Sequence, residues 1–154
     1  MNIQIKDPWS ALTHFIGMLL ALFATAPLLV KAALSGEMMH VCAMAVFMLS
    51  MILLYAASTT YHTLNLGEKA LKIFRKIDHM MIFVLIAGSY TPVCLITLGG
   101  HIGYTLFAVV WAIAIFGIVH LASQGRKESQ PMLPMQQMYD WDFLITFELD
   151  RMNW

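Results

Sequence analysis

Apolar residues run along this chain in long unbroken stretches rather than at helical or strand spacing. A helix that crosses a bilayer needs about 20 such residues, because about 30 Å of hydrocarbon divides by a rise of about 1.5 Å per residue. Four stretches meet that length: Ala11 to Leu34, Met39 to Tyr61, Met80 to Leu98 and Gly103 to Leu121. They predict an all-α fold, a polytopic transmembrane helical bundle in residues 1–122. Pro27, Gly88 and Pro92 fall inside spans, with Pro27 a predicted kink. Membrane helices tolerate such residues where neighbouring helices satisfy the freed backbone groups. The first stretch is too long for a signal-peptide core and reads as a retained span.

The connections are unequal. Ser35, Gly36 and Glu37 join the first two spans, and Gly99 to Ile102 join the last two. The middle segment, NLGEKALKIFRKID, reads as a loop and holds Lys69, Lys72, Arg75 and Lys76. Cytoplasmic loops collect Lys and Arg, so this segment is expected inside. Four spans then place the N-terminus, with Lys6, and the C-terminal tail, with Arg126 and Lys127, on the same side. Lys31 alone falls toward the outside, near enough to a helix end to snorkel. Residues 123–154 are polar, rich in Gln and broken by two prolines, and read as a disordered cytoplasmic tail or a short surface helix.

Composition agrees with a lipid solvent. Hydrophobic residues make up 60% and charged residues 12% of the 154, where soluble domains carry about 25% charged. So short a soluble chain cannot bury that much apolar surface. Net charge is zero, which removes the basic field a nucleic-acid partner would require. Cys42 and Cys94 lie in apolar stretches without metal-type spacing and are expected as buried free thiols.

Ionisable groups in spans are costly and therefore informative. The topology gathers His14, His62, Asp78, His79 and His120 at the inner depth and leaves His40 and His101 at the other end. Ser58 and His62 are four apart, on one helix face. The basic segment returns the chain to the same side, so Asp78 can approach His62. An Asp beside a His can orient the ring, hold a metal-bound water or act as a general base. Blander roles stand beside these. One His falls short of the three protein ligands of a catalytic zinc site. Asp78 suits a helix N-cap, and Ser58 can bond back to the Leu54 carbonyl. Tyr55, Tyr61 and Trp111 suit packing or an interfacial belt.

SMILLYAASTTYHTL, the basic segment and KIDHMMIFVLIAGSYTPV together resemble the hemolysin III family, which is grouped with the progestin and adipoQ receptors. THFIG resembles that family's opening motif and VVWAIAIFGIV its fourth span, so the likeness covers about residues 7 to 119. The resemblance implies a seven-span fold, of which four spans are present, in a bacterial plasma membrane. It implies a zinc site near the inner face, with His62 as one ligand, Ser58 beside it and Asp78 on the zinc-bound water. His14, His79 and His120 are secondary candidates. In the receptor relatives the site is linked to hydrolysis of a lipid amide, which makes membrane lipid the expected partner and substrate.

The chain departs from that pattern in having no later spans and no His after His120. It therefore reads as C-terminally truncated, with an incomplete zinc site, no activity alone and a tendency to self-associate. Asp7 stands near a position where the family favours Glu, and Ser10 where it favours Asn. The competing reading is a membrane-perturbing, pore-forming protein, or an inactive fragment.

Overall fold

The computed structural model describes residues 5–65 and 67–124. The chain divides into two units, Met1–Ala122 and Ser123–Trp154. The expectation of a disordered tail concerns the second unit, almost all of which lies outside the described residues.

The described residues of the first unit are helical. Helix α1 spans Pro8–Ala33, α2 Met38–Thr63, α3 Glu68–Pro92 and α4 Gly100–Gln124. A π-helical turn, Val93–Leu98, extends α3. Four of these segments are long and apolar enough to cross a membrane, as expected. Pro8 begins α1, where its missing N–H costs nothing. Pro27 lies within the continuous α1. Gly36, Gly99 and Gly100 have positive φ, the backbone that turns the chain at the end opposite the ionisable cluster.

One segment differs from expectation. The basic stretch before the third span is helix, not loop: α3 begins at Glu68, and only residues 64–67 connect it to α2. The stretch is polar enough to read as a loop. Yet Lys69, Lys72 and Lys76 recur at helical spacing, and continuous backbone bonding suits a segment entering lipid.

Small residues let the helices approach closely, as membrane packing requires in the absence of a hydrophobic drive between helices. Ala43, Ala87 and Cys94 are fully buried, and Ala11, Ala21, Ala32 and Ala114 nearly so. Tyr55 lies against Gly17, where a Cβ would stand 2.8 Å from its ring. A Cβ on Gly88 would collide with Ser50, so α2 and α3 touch at that level. A Cβ on Gly117 would meet the Phe83 ring at 2.5 Å, which seats α4 on α3. Thr91 adds a polar tie. Its hydroxyl donates to the Ala87 carbonyl at 2.8 Å and accepts the Trp111 indole N–H at 3.2 Å. Large apolar side chains such as Phe23, Leu20, Ile113 and Phe116 face outward, the arrangement lipid favours. Cys94 is buried as expected, but Cys42 is exposed: an apolar stretch in a span can face lipid as readily as protein.

Candidate functional site at one end of the bundle

The starts of α1 and α3 and the ends of α2 and α4 are tied together at one end. The Asp7 backbone N–H donates to the His62 carbonyl at 3.1 Å. That carbonyl is in the last turn of α2, where the helix supplies no donor of its own. The His62 Nδ1–H then donates to Asp7 Oδ2, also at 3.1 Å. The residue before α1 thus grips His62 through both backbone and side chain. Asp7 makes no side-chain cap for α1, which leaves its carboxylate for His62.

The neighbouring Lys6 completes a second tie. Its ammonium sits 3.8 Å from the centroid of the buried Tyr61 ring and 3.6 Å from Asp7. Arg75 of α3 donates from Nε to the Tyr61 hydroxyl at 2.9 Å. One residue along, Lys76 donates to the Ala122 carbonyl of α4 at 3.0 Å. A cation at the C-terminal carbonyls of a helix is favoured by the helix dipole.

His62 looks toward α1. Its ring stacks on His14 at 5.6 Å with an 8° interplanar angle, and Tyr55 lies 6.0 Å from His14. Ser58 is buried on the same face, and no bond to the Leu54 carbonyl holds its hydroxyl among the described residues. Thr59 Oγ1 is buried without a partner, whereas Thr13, Thr25, Thr60, Thr91 and Thr105 bond back to their own helices.

The other candidates are placed differently. Asp78 is mostly buried, and its carboxylate lies 3.9 Å from His79 Nδ1. Among the described residues no hydrogen bond or ion pair joins Asp78 to His62. Nor does Asp78 cap a helix, since it lies ten positions inside α3. His79 Nδ1 donates to the Arg75 carbonyl at 2.8 Å. His120 is exposed and stacks on Phe116 at 6.1 Å. Asp7 is the residue that sequence reasoning missed. Its position four residues before Ala11, near the family's favoured Glu, was the available signal.

The zinc that the resemblance implies can be tested against these side chains. Two imidazoles bind one ion when both ring planes contain it. Stacked, nearly parallel rings share no such point, so His14 and His62 do not converge as arranged. Among the described residues no three His, Cys, Asp or Glu side chains gather to hold a metal. The described residues therefore do not fit a complete zinc site, which needs three protein ligands.

Four apolar spans joined in antiparallel succession, with a polar cluster at one end, define a polytopic helical membrane protein. The chain belongs to the family described as Haemolysin-III related, whose model matches residues 3–141. That match runs past His120, where likeness by motif ends. The chain is similar to Hemolysin-3 of Bacillus cereus, with 44% identity over 110 residues, covering 71% of this chain and 50% of that protein. It is likewise similar to the Hemolysin-3 homolog of Bacillus subtilis (strain 168), with 43% identity over 110 residues, covering 71% and 51%. The chain thus spans about half the length of these curated relatives. No solved structure matches it.

Proposed function

We propose that this chain is a plasma-membrane protein carrying, at its cytoplasmic end, one part of a lipid-hydrolase-type site centred on His62. The observation that carries this reading is the setting of His62. Asp7 fixes the imidazole through Nδ1, the buried Ser58 shares its face, and the ring stands at the membrane-boundary end of a span. A carboxylate that holds the second nitrogen of an imidazole leaves the first free as a donor or base. Membrane lipid, including an amide-linked lipid, is the substrate class and partner. The exposed apolar faces serve lipid and further helices, a second copy included.

Charge supports the orientation. Lys6, Lys69, Lys72, Arg75 and Lys76 lie at the end where α1 and α3 start, while Lys31 lies at the other. The positive-inside bias then puts the His62 end, the N-terminus and the tail in the cytoplasm.

On this reading the described residues supply too few donors to retain zinc, and the chain alone is inactive as a metal-dependent hydrolase. Metal content of the purified full chain, compared with His62→Ala, tests it. Zinc well below one ion per chain, unchanged in the variant, is expected. One zinc per chain that disappears with His62→Ala would overturn the incomplete-site reading.

A further inference from the structure

Helix α3 and its π-helical extension form the longest of the four spans, 31 residues from Glu68 to Leu98. At about 1.5 Å per residue that is ~46 Å, against ~30 Å of hydrocarbon. The excess has a definite place. Ser50 lies level with Gly88 across the α2–α3 contact. Counting thirteen residues along each antiparallel helix puts Thr63, where α2 ends, level with about Arg75. Helix α1 starts at that level too, since Asp7 is bonded to His62. Residues Glu68 to Phe74 therefore project past the ends of α1 and α2 by about two helical turns, or ~10 Å. That is enough to cross the headgroup layer of one leaflet, about 5–7 Å thick.

The projecting turns carry a sorted surface. At about 100° per residue, Lys69, Lys72 and Lys76 fall within one sector of about 60°, and Ile73 and Ile77 lie on its flank. Ile73 is 60% and Ile77 37% exposed. Among the described residues the other Lys and Arg side chains of this end are committed: Lys6 and Arg75 to Tyr61, and Lys76 to Ala122. Lys69 and Lys72 are exposed and, among the described residues, make no hydrogen bond or ion pair. Glu68, one turn before Lys72, does not pair with it.

We propose that the overhanging first turns of α3 form a binding site for the phosphate of an anionic phospholipid, held by Lys69 and Lys72. Ile73 and Ile77 contact the start of its acyl chains. Lysine binds phosphate as a compact charge on a flexible stem. An ammonium at the surface of an anionic leaflet gains about fivefold in affinity per side chain. Lys76, held to α4, adds fixed charge beneath the pair. The site depends on the length of α3 and its lysines, not on the His62 reading or on which leaflet is cytoplasmic.

The test is spin-label selectivity of the full chain reconstituted in phosphatidylcholine, with nitroxide-labelled phosphatidylglycerol or phosphatidylcholine as the probe. At low salt the wild-type chain should prefer phosphatidylglycerol about fivefold or more. K69Q/K72Q should bring the ratio close to one, K69R/K72R should keep it, and K31Q at the opposite end should leave it unchanged. High salt should weaken it, as screening requires. A wild-type ratio near one would overturn the proposal, as would full selectivity in K69Q/K72Q. Loss of selectivity in K69R/K72R would mark a structural role instead of a charge and would equally overturn it. So would abolition by millimolar glycerol phosphate, which would make the ligand a free phosphate.

Discussion

Removing the Asp7 carboxylate should loosen His62 without unfolding the bundle. In Asp7→Ala the backbone N–H still caps the His62 carbonyl, and no α1 cap is lost, because the side chain makes none. What disappears is the 3.1 Å bond to Nδ1 and the 3.6 Å contact with Lys6. A hydrogen bond to a charged group contributes about 1.5–3 kcal/mol when well buried. Here the His62 side chain is 20% exposed but that of Asp7 is 46% exposed. Solvent screening on the carboxylate side lowers the figure to about 1 kcal/mol. A double-mutant cycle of Asp7→Ala and His62→Ala isolates this value, since the cavity left by His62 cancels. The assay is reversible unfolding of the purified chain in mixed micelles by added denaturing detergent. Nitrogen NMR of the His62 ring reports in parallel whether Nδ1 carries the proton. The expected coupling is about 1 kcal/mol for Asp7 and below about 0.3 kcal/mol for Asp78→Ala in the same cycle, the range of independent sites. Coupling to Asp78 but not to Asp7 would refute the assignment of Asp7 as the residue that positions His62.

Gly88→Ala trades about 0.5–1 kcal/mol of helix propensity against about 1–3 kcal/mol of overpacking on Ser50. A net loss of about 1 kcal/mol is expected in the same unfolding assay, with recovery when Ser50→Gly makes room. Thr91→Val removes the acceptor of the Trp111 indole N–H. It should cost about 1–2 kcal/mol and alter Trp111 emission, whereas Trp111→Phe in that background should add little beyond lost packing.

The spans were legible because lipid imposes a length on them, and length is a property a sequence displays directly. The start of α3 was not. Its first ten residues are too polar for a hydropathy reading, and their helical character lies in the spacing of Lys69, Lys72 and Lys76, which a charge count ignores. The candidate site divides along the same line. Depth could be read: His14, His62 and Asp78 were expected at one end, and the Ser50–Gly88 register does put Asp78 level with about Thr60, close to His62 along the axis. Direction around the helix could not. Consecutive residues differ by about 100°, so Tyr61 and His62 serve different neighbours. Tyr61 receives Arg75 from α3, and His62 turns to Asp7 and His14 on the α1 side. The carboxylate that meets His62 is therefore the one preceding α1, fifty-five positions away, and not the one that follows sixteen residues later on α3. The same facing bears on the proposed hydrolase-type site. Because His62 faces α1 and its ring is stacked on His14, any additional donor must either displace His14 from that stack or approach from the open edge of the ring. A helix added beside α1 lies on the side His62 faces, whereas α4 packs on α3, the helix that meets Tyr61 instead. Cross-linking from a cysteine at Ser58 or His14 into the remaining half of a full-length relative would distinguish the two placements. Cross-links confined to the α4 side would contradict the α1-facing geometry of His62.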